Sequence, residues 1–207
     1  MRYIFLIILF FSFNISANEY SLSEICPTIK FTITERYDDE NGHPRIKIKY
    51  LKKDRLISAK FMQSIWTKLN NHVPRLSPSE KEYIMQELRI TYPESPQRYM
   101  ELRERKEWHI YQFLRLSKNL LKRLEWWIEA IEKEDLVEEA RIILLISTSI
   151  DGIIDYMISM AEYEYFKISE KKLDKESDAF YLCTSIPFSN RTIAGQILYE
   201  YKERLNK

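Results

Sequence analysis

The chain has 207 residues, of which 32 are Lys or Arg and 31 are Asp or Glu, so its formal net charge is +1. A nearly neutral chain lacks the basic face that nucleic acids require, and we expect no nucleic-acid partner. The sequence holds three glycines, too few for the clustered glycines of a Walker loop or a dinucleotide fingerprint, and no cofactor is expected. Many Leu, Ile, Lys and Glu residues beside little Gly and Pro favour long helices.

The first seventeen residues have the layout of a secretory signal peptide. Arg2 supplies a positive charge, residues 3–13 form an apolar run, and Ala17 offers a small residue at the cleavage site. The apolar run is short for a membrane anchor, so no membrane span is expected after cleavage. Cleavage leaves residues 18–207, with 31 basic and 31 acidic side chains, as a single exported domain that is periplasmic or secreted.

Two cysteines, Cys26 and Cys183, remain in the mature chain. An exported protein meets an oxidising compartment, and an even number of cysteines there predicts a disulfide bond. This bond would tie the start of the mature chain to a point near its end. The alternative is that both are buried free thiols.

A β-hairpin is predicted over about residues 29–51. Two runs in which apolar and polar residues alternate flank a segment that contains Asn41 and Gly42. Asn-Gly between alternating runs is the strongest short-range signal of a hairpin. Since two strands alone are marginally stable, the hairpin must pack against another element.

The remaining fold is predicted to be mainly α. Residues 56–69 favour a helix because apolar side chains recur every four positions, at Ile57, Phe61, Ile65 and Leu69. Residues 77–80, Ser-Pro-Ser-Glu, form a capping box that predicts a helix ending near residue 91.

Two longer helices follow, and we expect them to form an antiparallel hairpin. The first runs over about 96–133 and carries an apolar stripe at steps of three and four residues. Asp135 is expected to cap the second, over about 136–168, which is apolar around more than half of its circumference. Such a wide apolar surface predicts that this helix lies at the centre of the domain, in contact with more than one neighbour. A last helix is expected over about 190–205.

The segment 142–160 is long and apolar enough to cross a membrane. Asp151 and Asp155 lie within it, and each costs roughly 2.5–3.5 kcal/mol near a bilayer centre. We therefore interpret this segment as a buried helix of a soluble domain.

Asp151 and Asp155 lie one turn apart on a narrow polar strip that continues to Glu162. Two nearby carboxylates can share a proton or bind a hard cation, which makes these three residues weak candidates for catalysis. The simpler interpretation is the exposed edge of a helix. No histidine pair has metal-ligand spacing, and no metal site is predicted.

Three aromatic residues, Trp108, Tyr111 and Trp126, fall nearly opposite the apolar stripe of the first long helix, and Arg115 and Lys122 share that side. Trp, Tyr and Arg are the residues most enriched at binding hot spots, so this side is a candidate surface for another protein. The interpretation we favour is a second layer of structure over this side, which would make the aromatics part of the core.

The function that this sequence favours is an exported binding protein of the cell envelope that acts through a protein–protein surface. An inhibitor or an immunity protein against a delivered toxin is of this general type, although no motif specifies it. The alternatives are a periplasmic hydrolase that uses the carboxylates or a metal, and a structural envelope component. Substitutions on the aromatic side should affect only the first function, and substitutions of the carboxylates only the hydrolase.

Overall fold

The computed structural model describes residues 19–25, 32–49, 51–91, 95–169 and 194–195, and these form a mainly helical domain with two small sheets. The elements in chain order are β1 (Glu19–Tyr20), α1 (Leu22–Ile25), β2 (Thr32–Asp38), β3 (Pro44–Lys49), α2 (Lys52–His72), α3 (Pro78–Thr91), α4 (Pro96–Arg103), α5 (Lys106–Lys133), α6 (Leu136–Glu162) and β4 (Lys167–Ile168). The predicted fold class, mainly α with a small N-terminal hairpin, is confirmed.

Several predictions fall outside the described residues. They are the signal peptide over 1–17, the disulfide between Cys26 and Cys183, and all but two residues of the last helix. They stay predictions.

The N-terminal hairpin pairs β2 with β3 in antiparallel register, from Thr32 opposite Lys49 to the pair that closes the turn. Gly42 has a φ of 75°, the left-handed conformation that glycine adopts without steric cost. Its backbone N–H donates to the carbonyl of Asp39 at 2.8 Å, and the Asp39 carboxylate accepts the backbone N–H of Asn41 at 3.0 Å. Local turn chemistry therefore fixes this hairpin where the sequence predicts it.

Helix α5 lies between α2 and α6 and packs along both of them. Helix α6 is buried around more than half of its circumference, as expected, and its predicted place between more than one neighbour stays a prediction. The α5–α6 hairpin itself is as expected. Glu134 ends α5 with a φ of 58°, and Asp135 then caps α6 by accepting the backbone N–H of Glu138 at 3.0 Å.

The helix predicted over 96–133 is in fact two helices, separated at Glu104 and Arg105. The backbone N–H of Glu104 donates to the Met100 carbonyl, and that of Arg105 donates to the Leu102 carbonyl, which ends α4. The break carries no Gly or Pro, so the sequence contains no local signal for it.

Tertiary packing explains this break. The turn lets Leu102 and Trp108 bury themselves together with Ile84 of α3 in a second, smaller core. Arg98 of α4 also donates to both carboxylate oxygens of Glu87 on α3, at 2.8 and 2.7 Å. With this turn, both α4 and α5 contact α3.

Helix α2 forms where it is predicted and extends further in both directions, over Lys52–His72. Ile57 and Phe61, two of the apolar residues whose spacing predicts the helix, are 57% and 44% exposed and lie off its buried face. The buried face follows alternating steps of four and three residues, and it comprises Arg55, Ala59, Met62, Trp66 and Leu69, with Ile65 beside it. A spacing of three and four follows one helix face more closely than a strict spacing of four does.

Helix α6 ends at Glu162, earlier than expected, because the chain then pairs with the N-terminal strand. Strand β4 lies parallel to β1, with Tyr20 opposite Ile168. The Tyr20 hydroxyl lies 3.0 Å from Nε2 of His72, and its ring meets the ring of Phe166 edge-on. Burial of Tyr20 raises the pKa of its phenol above the ordinary value.

Among the described residues, α6 is the one helix long and apolar enough to cross a membrane. Of its most apolar 18-residue window, 61% is buried inside the protein, as in the core helix of a folded domain.

The capping box at the start of α3 is present. The Glu80 carboxylate accepts the backbone N–H of Ser77 at 2.7 Å and its hydroxyl at 2.6 Å, and the Glu80 N–H donates to that hydroxyl oxygen at 3.3 Å. The hydrogen bond from the Ser77 hydroxyl, followed by that from its backbone, holds the pKa of Glu80 below its ordinary value of 4.5.

We expect this cap to give Ser77→Ala a pH-dependent loss of stability. A carboxyl whose pKa is lowered by folding contributes stability above its ordinary pKa and loses that contribution as the pH falls through the folded value. Ser77→Ala should therefore unfold at lower urea concentration than the native protein at neutral pH, and the difference should narrow in acid. Ser79→Ala, which leaves both bonds to Glu80 in place, is the control.

Candidate binding groove

Trp108 is part of the core and is 3% exposed. It packs with Ile84 and Leu102, and its ring meets the ring of Tyr99 edge-on at a centroid distance of 6.0 Å. The proposed exposure of Trp108 on a binding surface is therefore wrong. A second layer covers this side of α5, as the interpretation we favoured requires, and α3 and α4 supply that layer.

Trp126 lies apart from this cluster and is 39% exposed. The ammonium group of Lys122 lies over its ring, 5.1 Å from the centroid. Trp126 lines a small cavity of about 220 Å³ between the end of α5 and the start of α6. Side chains of both charge signs share that cavity, namely Glu129, Lys133, Asp135, Glu138 and Arg141.

Tyr111 and Arg115 meet in a larger groove of about 670 Å³. We call it the α3–α5 groove, since it runs between the start of α3 with its preceding loop and the middle of α5. Its lining consists of Asn70, Arg75, Leu76, Lys81, Tyr111, Leu114, Arg115, Lys118 and Leu121. The structure thus brings two of the four predicted surface residues together, places Trp108 in the core and leaves Trp126 elsewhere.

Tyr111 connects the second core to the groove. Its ring packs against Trp108 at a centroid distance of 6.3 Å, and its hydroxyl donates to Sδ of Met85 at 3.1 Å. The side chain is half-buried, with one part in the groove lining. Tyr111 is therefore held by α3 and has little freedom to move.

A buried polar network lies under the groove. The side-chain amide of Asn70 donates to the hydroxyl of Ser117, and that hydroxyl donates to the Leu114 carbonyl at 3.2 Å. Asn70 and Ser117 are both buried. The amide oxygen of Asn70 then accepts a hydrogen bond from Nη2 of Arg75 at 2.8 Å. The network fixes the Arg75 guanidinium at the edge of the groove.

Arg115 is fixed in a similar way. Its Nε and Nη2 both donate to the side-chain oxygen of Gln112, at 3.0 and 2.7 Å. Gln112 is buried, so its amide has few alternative orientations. Both guanidinium groups are therefore held by neutral amides, which orient them without cancelling their charge.

The three candidate catalytic carboxylates are exposed. Asp151, Asp155 and Glu162 follow the solvent-facing edge of α6 with Thr148, as the simpler interpretation holds. In the part of the chain that the structure describes, no group of three or more His, Cys, Asp or Glu side chains could hold a metal ion.

Sequence reasoning missed most of the groove. Lys118 and Leu121 could have been predicted from the sequence, because residues 111, 114, 118 and 121 share one side of α5 at helical spacing. Arg75 and Lys81 could not have been predicted as part of the groove, because their positions depend on how the loop before α3 packs against α5.

Comparisons with protein-family models, with curated proteins and with solved structures found no significant match to this chain.

Proposed function

We propose that this protein is exported and acts by binding another protein through the α3–α5 groove, without chemistry of its own. The observation that carries the proposal is the floor of the groove, where Leu114 and Leu121 remain half-exposed beside the firmly held Tyr111. Grouped apolar side chains with a charged border are typical of binding surfaces. Export rests on the signal-like sequence of residues 1–17.

Stoichiometric inhibitors and immunity proteins act in this manner, through a preformed surface, and we propose that class for this protein. A rigid groove suits such a role because little conformational freedom is lost on binding. The hydrolase and the structural component stay alternatives from the sequence, and no contact between described residues at Asp151, Asp155 or Glu162 favours the hydrolase over the binding protein.

The test is to export the full chain with a C-terminal tag and to identify the proteins that co-purify from the envelope. Leu114→Gln/Leu121→Gln removes the apolar floor. Ile57→Gln/Phe61→Gln makes the same kind of change on the exposed side of α2 and is the matched control. Thermal unfolding of each variant checks that the domain still folds.

We expect one stoichiometric protein partner that is lost in the groove variant and retained in the α2 variant. We also expect the N-terminal sequence of the exported protein to begin at Asn18. A partner that is lost only in the α2 variant would place the binding surface elsewhere, and the absence of any stoichiometric partner would contradict the proposal.

A further inference from the structure

The α3–α5 groove concentrates positive charge in a chain whose mature form is neutral. Arg75, Lys81, Arg115 and Lys118 all line it, and no carboxylate is among its lining residues. None of the ion pairs between described residues involves any of these four cations. Elsewhere in the described chain, cations such as Arg98 and Arg141 are paired with nearby glutamates.

The positions of this charge are set before any ligand binds. Arg75 is held by Asn70 and Arg115 by Gln112, and both amides belong to buried residues. A guanidinium offers five N–H donors, so each arginine keeps donors free to bind a carboxylate. Cations that are already oriented bind an anion at a lower entropic cost than mobile ones do.

The side of α5 that lines the groove has the spacing of a helix-packing seam, and the apolar floor is part of it. Tyr111, Leu114, Lys118 and Leu121 follow one another at steps of three, four and three residues along α5. The ten steps from Tyr111 to Leu121 span about 15 Å, or almost three turns of helix. Helices pack against each other along such seams, so the shape of the floor fits an elongated helical segment.

We propose that the α3–α5 groove binds an acidic amphipathic helix of a partner protein. The apolar face of that helix would lie on Leu114 and Leu121, and its flanking Asp and Glu side chains would meet the four cations. The inference rests on the proposed function, and it adds the chemistry of the partner. Complementary charge raises the rate of association and selects against neutral or basic partners.

The probe is a synthetic peptide of about 18 residues, five turns of helix, with Leu at the seam positions and Glu on both flanks. A matched peptide carries Gln in place of every Glu. Each peptide is labelled and titrated with the full mature chain, and the affinity is measured by fluorescence anisotropy at low and at high salt. Dodecanoate is added as a competitor, because a small anionic amphiphile shares the charge and apolar character of the peptide.

The protein variants separate charge from apolar contact. Arg115→Glu/Lys118→Glu reverses two cations of the groove. Lys53→Glu/Lys60→Glu makes the same change in net charge at exposed positions of α2. Leu114→Gln/Leu121→Gln removes the floor and keeps the charge.

We expect the acidic peptide to bind at least about tenfold more tightly than the Gln peptide, and we expect this difference in affinity to decrease at high salt. The groove charge variant should lose about tenfold in affinity for the acidic peptide and the α2 charge variant should lose little. Equal affinity for the two peptides, or equal losses in the two charge variants, would overturn the inference. Dodecanoate that saturates the groove while the acidic peptide fails to bind would also overturn it, in favour of a small amphiphile.

The outcomes distinguish this inference from the function it rests on. If the floor variant loses the envelope partner and the charge variant does not, the groove is a protein-binding surface without the acidic preference, and only the inference fails. If neither variant loses the partner, the proposed function fails as well.

Discussion

Replacing Glu139 with alanine should lower the free energy of unfolding by about 3–5 kcal/mol, because it breaks a buried ion pair by removing one partner. The Glu139 carboxylate lies 3.0 Å from Nε of Arg55, and the two side chains are 0% and 8% exposed. The indole N–H of Trp127 also donates to this carboxylate, at 3.3 Å. Alanine would remove both the charge that is paired with Arg55 and the hydrogen-bond acceptor of Trp127.

Chemical denaturation measures this loss, and two further variants test its cause. Arg55→Met/Glu139→Leu removes both charges and keeps most of the volume, so it should cost clearly less than Glu139→Ala. Glu129→Ala breaks the exposed pair with Lys133 and should leave stability almost unchanged. A loss in Glu139→Ala that is no larger than the loss in Glu129→Ala would contradict the structural role of the buried pair.

Trp108→Ala should be comparably destabilising, by about 3–5 kcal/mol, the usual cost of deleting a buried tryptophan side chain. The indole fills the second core between Ile84, Leu102 and Tyr99, and α3 and α4 depend on that core for their contact with α5. Its Nε1 is buried without a hydrogen-bond partner among the described residues. Trp108→Phe keeps an aromatic ring and removes that unsatisfied donor, so it should cost much less.

Thermal unfolding of these variants beside Trp126→Ala provides the matched comparison. Trp126 is the same residue type on the same helix, and it is exposed, so its removal should shift the melting temperature little. Similar shifts for Trp108→Ala and Trp126→Ala would show that the second core contributes little to stability.

Local signals in the sequence predict the ends of elements well. Asn41-Gly42, the Ser77–Glu80 box and Asp135 each act through hydrogen bonds to residues within four positions, and the structure shows all three in place. The α4–α5 break is different, because no residue near Glu104 opposes helix. Distant packing of Leu102 and Trp108 on α3 causes that break, and such packing leaves no local pattern in the sequence.

The buried charges and the composition of the groove could not be predicted from the sequence either, because both also depend on contacts between distant residues. Arg55 and Glu139 occupy positions of their helices that a hydrophobicity pattern assigns to solvent, and they are buried because each is the partner of the other. In the groove, the helical spacing of Tyr111 and Arg115 was enough to predict that they share one side of α5. Lys81 joins them only through the fold, from a helix that begins more than thirty positions earlier in the chain.

If the chain is exported from its N-terminus, as we propose, β1 would cross the membrane long before β4, the strand with which it pairs. Tyr20 would emerge near the start of the mature chain, and Ser169, whose backbone N–H donates to the Tyr20 carbonyl, follows 149 positions later. Closing so long a loop is entropically costly and slow, and β1 could pair with β4 only after α6 had also crossed the membrane. Under the proposed cleavage after Ala17, release from the signal peptide would free the N-terminus of the strand that pairs with β4, so processing of the chain and this late pairing would be linked.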